Sequence, residues 1–278
     1  MEIVNRIPRM MSVARQLRAD GNRIGLVPTG GVIHEGHLSM ISRANELCDS
    51  VILSILPIHR GDDFGLDLAR DAELAFTRNV DFIFAPSFED IFSPGTSTMV
   101  VVEGLHEKLE GAIQPGHYQQ VSTAVNKLLN IIRPQFVVLG RKDAQRAIIV
   151  KRMVRDLAMD VEVVICPTVR EEDGLAISSS NARLSTDERK AATVLRRSLE
   201  RALSMYNAGE HDGGRLISSV RSIVETEPLA RIDYVALTDI ETLDPVSAIS
   251  SMSTVLLSLA AFIGPIRLTD NIVINGDL

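Results

Sequence analysis

The chain has 278 residues, 45% of them hydrophobic, with a formal net charge of -7 and a pI near 5.4. That length supports a sizeable core and predicts two domains. The acidic balance and the lack of a long Lys/Arg run argue against a nucleic-acid partner, and the longest apolar run, Val255 to Ile263, is too short to span a bilayer. In chain order, short runs rich in Val, Ile or Phe predict strands at Ile24–Val27, Val51–Leu56, Phe82–Ala85, Phe136–Leu139 and Val161–Cys166. Helical spacing between them predicts helices over Leu38–Cys48, Leu68–Thr77, Val121–Ile132 and Ala147–Leu157. Continuous apolar strands alternating with helices imply a parallel sheet covered on both faces, an α/β, Rossmann-like domain over residues 1–183. Past that point the pattern changes. Ser185-Thr186-Asp187-Glu188 reads as a capping box opening a helix to about Met205. A turn through Gly209, Gly213 and Gly214 leads to a second helix, Leu216–Glu225. Alternating runs near Ile232–Thr238 and Thr254–Ile263, followed by a tail, Arg267–Ile272, complete a smaller α+β lid domain with a partly antiparallel sheet, residues 184–278.

Cys48 and Cys166 lie far apart, which points to a reducing compartment and away from a structural zinc; no metal ligand set is expected. No apolar stretch follows the Arg-flanked Met10-Met11-Ser12-Val13-Ala14, so the expected location is cytoplasmic.

Ligands in a parallel sheet collect beyond the carboxyl ends of the strands, so the residues after each strand are the informative ones. After the first comes Pro28-Thr29-Gly30-Gly31-Val32-Ile33-His34-Glu35-Gly36-His37. Two histidines three residues apart stand where the next helix begins. A helix N-terminus offers unpaired N–H groups and a positive dipole end, and side chains at i and i+3 share one face. The segment reads as a nucleotide triphosphate site; the plain alternative is a tight turn with two exposed histidines. After the fourth strand comes Gly140-Arg141-Lys142-Asp143, and after the fifth Pro167-Thr168-Val169-Arg170, then Gly174 to Arg183 with Ser178-Ser179-Ser180-Asn181. All three ends carry phosphate-compatible groups. Taken singly, Lys142 is equally an exposed helix-start lysine and the serine run an ordinary loop.

The sequence resembles the pantoate–β-alanine ligases of the HxGH-type nucleotidyl-transferase superfamily over almost its whole length. The matching pieces are Val27-Pro28-Thr29, His34-Glu35-Gly36-His37-Leu38-Ser39, Phe84-Ala85-Pro86-Ser87, Leu109-Glu110-Gly111, Pro115-Gly116-His117, Lys142-Asp143, Pro167-Thr168-Val169-Arg170-Glu171, Asp173-Gly174-Leu175-Ala176 and Ser178-Ser179. Asp233-Tyr234-Val235, Glu241-Thr242-Leu243 and Arg267-Leu268-Thr269-Asp270-Asn271 continue the match. The resemblance implies activation of a carboxylic acid by ATP as an acyl-adenylate with loss of pyrophosphate, then amide formation with an amine and release of AMP. It implies ATP and Mg2+, small-molecule acid and amine partners, and a homodimer. His34, His37 and Lys142 would be catalytic, the histidines holding phosphate oxygens and the cations stabilising developing charge. Pro28, Thr29, Gly36, Gly140, Asp143, Val169, Ser178 and Ser179 would bind ATP, with Asp143 also organising the magnesium region.

The departures from that pattern cluster in the acid pocket. Gly30 stands where the family carries a methionine. Pro57-Ile58-His59-Arg60-Gly61 replaces an Asn-Pro-x-Gln-Phe motif, and Arg146 replaces the glutamine four residues after the lysine. Ser180 replaces an arginine of the triphosphate clamp, for which the alternatives are substitution by Arg183 or Arg141 or a slow enzyme. Gly30, His59, Arg60 and Arg146 are therefore the expected acid-binding positions. A guanidinium suits a carboxylate or phosphate where an amide suits hydroxyls, so the expectation is altered acid specificity. Ordinary pantoate use and a non-catalytic nucleotide-binding role are the alternatives.

Overall fold

Ile24–Thr29 (β2) and Ser50–Ile55 (β3) are buried at nearly every position because both faces of their sheet are covered. The computed structural model describes residues 1–57 and 67–278. With Glu2–Val4 (β1), Phe82–Phe84 (β4), Phe136–Gly140 (β5) and Glu162–Cys166 (β6), these strands form a six-stranded parallel sheet in the order β1-β4-β3-β2-β5-β6. Ile24 pairs with Ser50 and Thr29 with Ile55, so β2 and β3 end level. The helices of this part are α1 (Ile7–Ala19), α2 (Glu35–Leu47), α3 (Leu68–Phe76), the one-turn α4 (Phe88–Ile91) and α5 (Glu110–Ile113), α6 (His117–Ile132) and α7 (Ala144–Asp156). Leu38, Met40, Ile41 and Ala44 of α2 pack with Val27, Val51, Leu53, Ile83 and Val138 into one core cluster. The chain adds β3 and β4 on one side of β2, then crosses to add β5 and β6 on the other. The carboxyl ends of β2 and β5 therefore flank a topological switch point. Strand β1 and helix α1 were not predicted.

The chain divides into two compact units, Met1–Pro167 and Thr168–Leu278. The expected division at 183/184 comes later than this one, and the reason lies in what residues 168–183 contact. Arg170 donates to both carboxylate oxygens of the buried Asp270, at 2.7 and 2.9 Å. Leu175 is part of the second unit's core, and Arg189 pairs with Glu171 and Asp173. This unit holds α8 (Thr186–Ala191), α9 (Val194–Asn207) and α10 (Gly213–Val224) with strands β7 (Ala230–Asp239), β8 (Val255–Ile263) and β9 (Ile266–Ile274). The strands form a fully antiparallel sheet in chain order. Ser185 and Glu188 make the expected capping box, but the helix they open stops at Ala191 and a separate one starts at Val194. Among the described residues, no helix is long and apolar enough to cross a membrane.

Candidate functional site

Thr29 ends β2 and is consumed by the turn that follows. Its hydroxyl donates to the Ser54 carbonyl at 3.0 Å and accepts from the Gly31 N–H at 3.3 Å. Gly31 and Val32 both take positive φ, at 95° and 53°. Glycine does so freely, whereas a β-branched residue there is strained and has to be held by its surroundings. The turn delivers His34 as the N-cap of α2, in extended conformation, with His37 one turn on. A Cβ at Gly36 would sit 3.0 Å from the His34 ring, close enough to press that ring aside. The two imidazoles stack, with centroids 4.0 Å apart and planes inclined by 26°.

The backbone N–H of His34 donates to Nδ1 of His37 at 3.3 Å. That bond makes Nδ1 an acceptor and assigns the ring proton of His37 to Nε2. Burial, then the neighbouring His34, hold the His37 imidazole down to about 3; burial, then Lys142, lower His34. Both rings are neutral at pH 7. The pair therefore offers hydrogen bonds to phosphate rather than fixed positive charge, and the cationic part of the site falls to the next strand end.

Beyond β5, Gly140 leads into a 3-10 turn, Arg141–Asp143, and then α7. Lys142, with its side chain 23% exposed, has its Nζ 3.8 Å from an Asp143 oxygen. Arg146, one turn into α7, puts Nη1 3.0 Å from the other oxygen. Burial pushes the Asp143 carboxyl up, but Arg146, Lys142, His37 and His117 together outweigh it and hold it at about 2. His34, His37, Lys142, Asp143 and Arg146 are thus one electrostatic cluster at the switch point. Arg146 was expected as an open cation facing the acid; its charge is met by Asp143, while its Nε is buried without a hydrogen-bond partner. Gly30 is exposed, with open space where a side chain would stand. His59 and Arg60 lie outside the described residues.

Val169, Ser178 and Ser179 belong to the second unit and form a group of their own. Ile177 donates to the Val169 carbonyl, and Ser178 caps a 3-10 helix, Ser179–Arg183, by accepting from the Ser180 N–H at 3.3 Å. Two residues near the cluster escaped sequence reasoning. Gln145 is 4% exposed and clamps the segment before α6, donating to the Leu105 and Lys108 carbonyls and accepting from the Glu110 N–H. Its signal was in plain sight, an amide between Asp143 and Arg146 on the buried side of α7. Asp71 of α3 is completely buried and accepts from the Ile33 N–H at 2.8 Å. No local pattern marks it.

A doubly covered parallel sheet with a histidine pair and a lysine beyond neighbouring strand ends defines the class, a nucleotide-dependent α/β enzyme. The family model described as pantoate-beta-alanine ligase matches residues 2–273. The chain is 45% identical to the pantothenate synthetase of Pelotomaculum thermopropionicum and 44% identical to that of Heliobacterium modesticaldum, over 99% of its own length in each case and 99% and 100% of theirs. The pantothenate synthetase structure from Thermus thermophilus superposes with a TM-score of 0.88 at 36% identity, covering 98% of this chain and 99% of that one. The pantoate-β-alanine ligase of Francisella tularensis, solved in complex with β,γ-ATP and β-alanine, matches with a TM-score of 0.78 at 28% identity over 98% of this chain and 97% of that one. The chain belongs to the pantoate–β-alanine ligase family and is an ATP-dependent ligase that forms a carbon–nitrogen bond.

Proposed function

We propose that this ligase joins pantoate to β-alanine with ATP as the activating co-substrate, releasing pyrophosphate and AMP. The observation that carries the reading is the Asp143–Arg146 ion pair at 3.0 Å. A free guanidinium in the acid pocket would disfavour a substrate whose remaining polar groups are hydroxyls; one already neutralised by a carboxylate does not. The relatives, named pantothenate synthetases at 40–45% identity, support the same substrates. In the first half-reaction the carboxylate oxygen of the acid bonds to the α-phosphorus and the bond to pyrophosphate breaks. Lys142 offsets the charge on the phosphate and acyl oxygens, and the neutral His34 and His37 donate hydrogen bonds to phosphate oxygens at the start of α2. In the second, the amine attacks the activated carbonyl and AMP leaves. Val169, Ser178 and Ser179 are further nucleotide-binding residues in this reading, and the enzyme works as a homodimer, which light scattering checks. No cluster of three or more His, Cys, Asp or Glu able to hold a metal ion exists among the described residues. Magnesium enters this reading on the triphosphate, with Asp143 the acidic group at hand.

A second reading, an acid bearing another anionic group, is favoured by the unpartnered, buried Nε of Arg146. Pyrophosphate exchange over a panel of acids separates the two. Pantoate should support exchange, and Arg146→Gln should leave that activity within about threefold. Silence with pantoate, together with exchange driven by a dicarboxylic or phosphorylated acid and lost in Arg146→Gln, would replace the first reading by the second.

A further inference from the structure

We infer that Arg70 and Asp71, consecutive residues on the first turn of α3, are positioning residues that hold the peptide of Ile33 and thereby set His34 against the nucleotide phosphates. The inference rests on the nucleotide role given to His34 above. Ile33 is the last residue of the strained turn, and both its backbone groups are gripped by this dipeptide. Its N–H donates to Oδ1 of Asp71 at 2.8 Å, and its carbonyl receives a longer contact, 3.5 Å, from Nη2 of Arg70. Arg70 and Asp71 also pair with each other at 3.5 Å.

The choice of residue is informative. Asp71 has no exposed surface, and its second oxygen, Oδ2, has no hydrogen-bond partner. A carboxylate buried with an unsatisfied oxygen is a poor way to fill space, since alanine or leucine would carry no desolvation penalty. What the carboxylate does supply is a strong acceptor aimed at one N–H of a turn containing Val32 at positive φ. Strained backbone persists only where its surroundings over-determine it, and Ile33 is held at both ends. The next residue is His34, whose own N–H is already committed to His37. Fixing Ile33 therefore fixes the residue bonded to it, His34, the N-cap of α2. Arg70 is half exposed, so its share is the smaller and the more easily removed.

ATP binding by calorimetry, with neither acid nor amine present, tests this while leaving the substrate assignment aside. Asp71→Ala should weaken binding about tenfold, and Asp71→Asn, which keeps an acceptor for Ile33, should stay within about threefold of the wild type. Arg70→Ala, at a half-exposed position and with its fold checked by a thermal melt, should weaken it by about two- to fivefold. The decisive arm is the double-mutant cycle. In a His34→Ala background, both Arg70→Ala and Asp71→Ala should cost little further, because the group they position is gone. Should Asp71→Ala not fold, the Arg70→Ala arm of the cycle stands alone. Penalties equal in the wild-type and His34→Ala backgrounds would overturn the inference, as would wild-type ATP affinity in Arg70→Ala and Asp71→Ala. Wild-type protein that binds ATP but does not activate pantoate would count against the proposed acid and leave this inference standing.

Discussion

His37 shows how a residue's environment decides what it contributes. Exposed, it would be part-charged near neutrality; buried under His34 and beside Lys142, it is neutral down to about pH 3. Its unfolded counterpart titrates near 6.5. Between those two values the unfolded chain takes up a proton that the native protein refuses, so stability falls as the pH drops through that window and is retained above it. Asp143 adds to the same acid loss lower down: it is held at about 2 against an ordinary 3.8, so its contribution is present above 3.8 and disappears below it. Thermal melts of the wild type should therefore fall steadily from about pH 7 to about pH 4.5, and His37→Gln, with no titrating ring, should flatten that slope. An unchanged slope would mean that His37 is charged in the native state. At the same scale, His34→Ala, His37→Ala and Lys142→Ala should each lower pyrophosphate exchange by about 100-fold or more, the scale of one preorganised stabilising group. Near-wild-type exchange in a folded His37→Ala protein would remove the pair from the mechanism. The placement of the histidines and Lys142 beyond strand ends was legible because the segments that carry them follow apolar strands. The Asp143–Arg146 pairing and the role of Asp71 were not, since the first depends on which way two side chains turn and the second joins residues 38 positions apart.

At the scale of elements, the buried parallel strands were the most legible part, because a strand covered on both faces must be apolar throughout. Strand β1 has only three residues, and its partner β4 lies some eighty positions away, so no local signal identifies it. Helix α1 starts at Ile7 behind Arg6, which provides no side-chain cap, so its opening signal was reduced to Pro8 in the first turn. The predicted helix through Met205 is interrupted at Ala192 and Thr193, which end one helix and start the next while keeping helical backbone angles, so hydrophobic spacing does not record the break. Gln145 shows how an element-level contact can look like a site residue. It lies beside Lys142 and Asp143, yet its three hydrogen bonds all go to the backbone of Leu105, Lys108 and Glu110. Gln145→Ala would leave the Leu105 carbonyl and the Glu110 N–H unmet, while the Lys108 carbonyl still accepts from the Gly111 N–H, and should cost about 2–4 kcal/mol. For a unit of this size that corresponds to a drop of about 5–10 °C in Tm. A loss below about 1 kcal/mol would show that water replaces the amide.

For the molecule as a whole, the division into two units follows which residues share a core rather than where composition changes. Residues 168–183 look like a loop trailing the parallel sheet, but Leu175 and the Arg170–Asp270 pair tie them to the second unit. With Asp270 only 3% exposed, Arg170→Leu would strand a buried carboxylate and should destabilise that unit by about 3–5 kcal/mol. Urea unfolding followed by hydrogen exchange should locate the loss in residues 168–278 and leave β2 and β5 protected. Equal loss in both units would show that they unfold as one.

The central claim is that the switch-point cluster, with its charge already balanced by Asp143 and Arg146, serves ordinary pantoate activation. Product analysis of the purified wild-type protein with ATP, magnesium, pantoate and β-alanine tests it most directly. The account predicts AMP, pyrophosphate and the pantoate–β-alanine amide in equal amounts, with none of the amide formed when any one substrate is left out. Binding of ATP without amide formation from pantoate, in a preparation that forms an amide from an acid with a second anionic group, would contradict it.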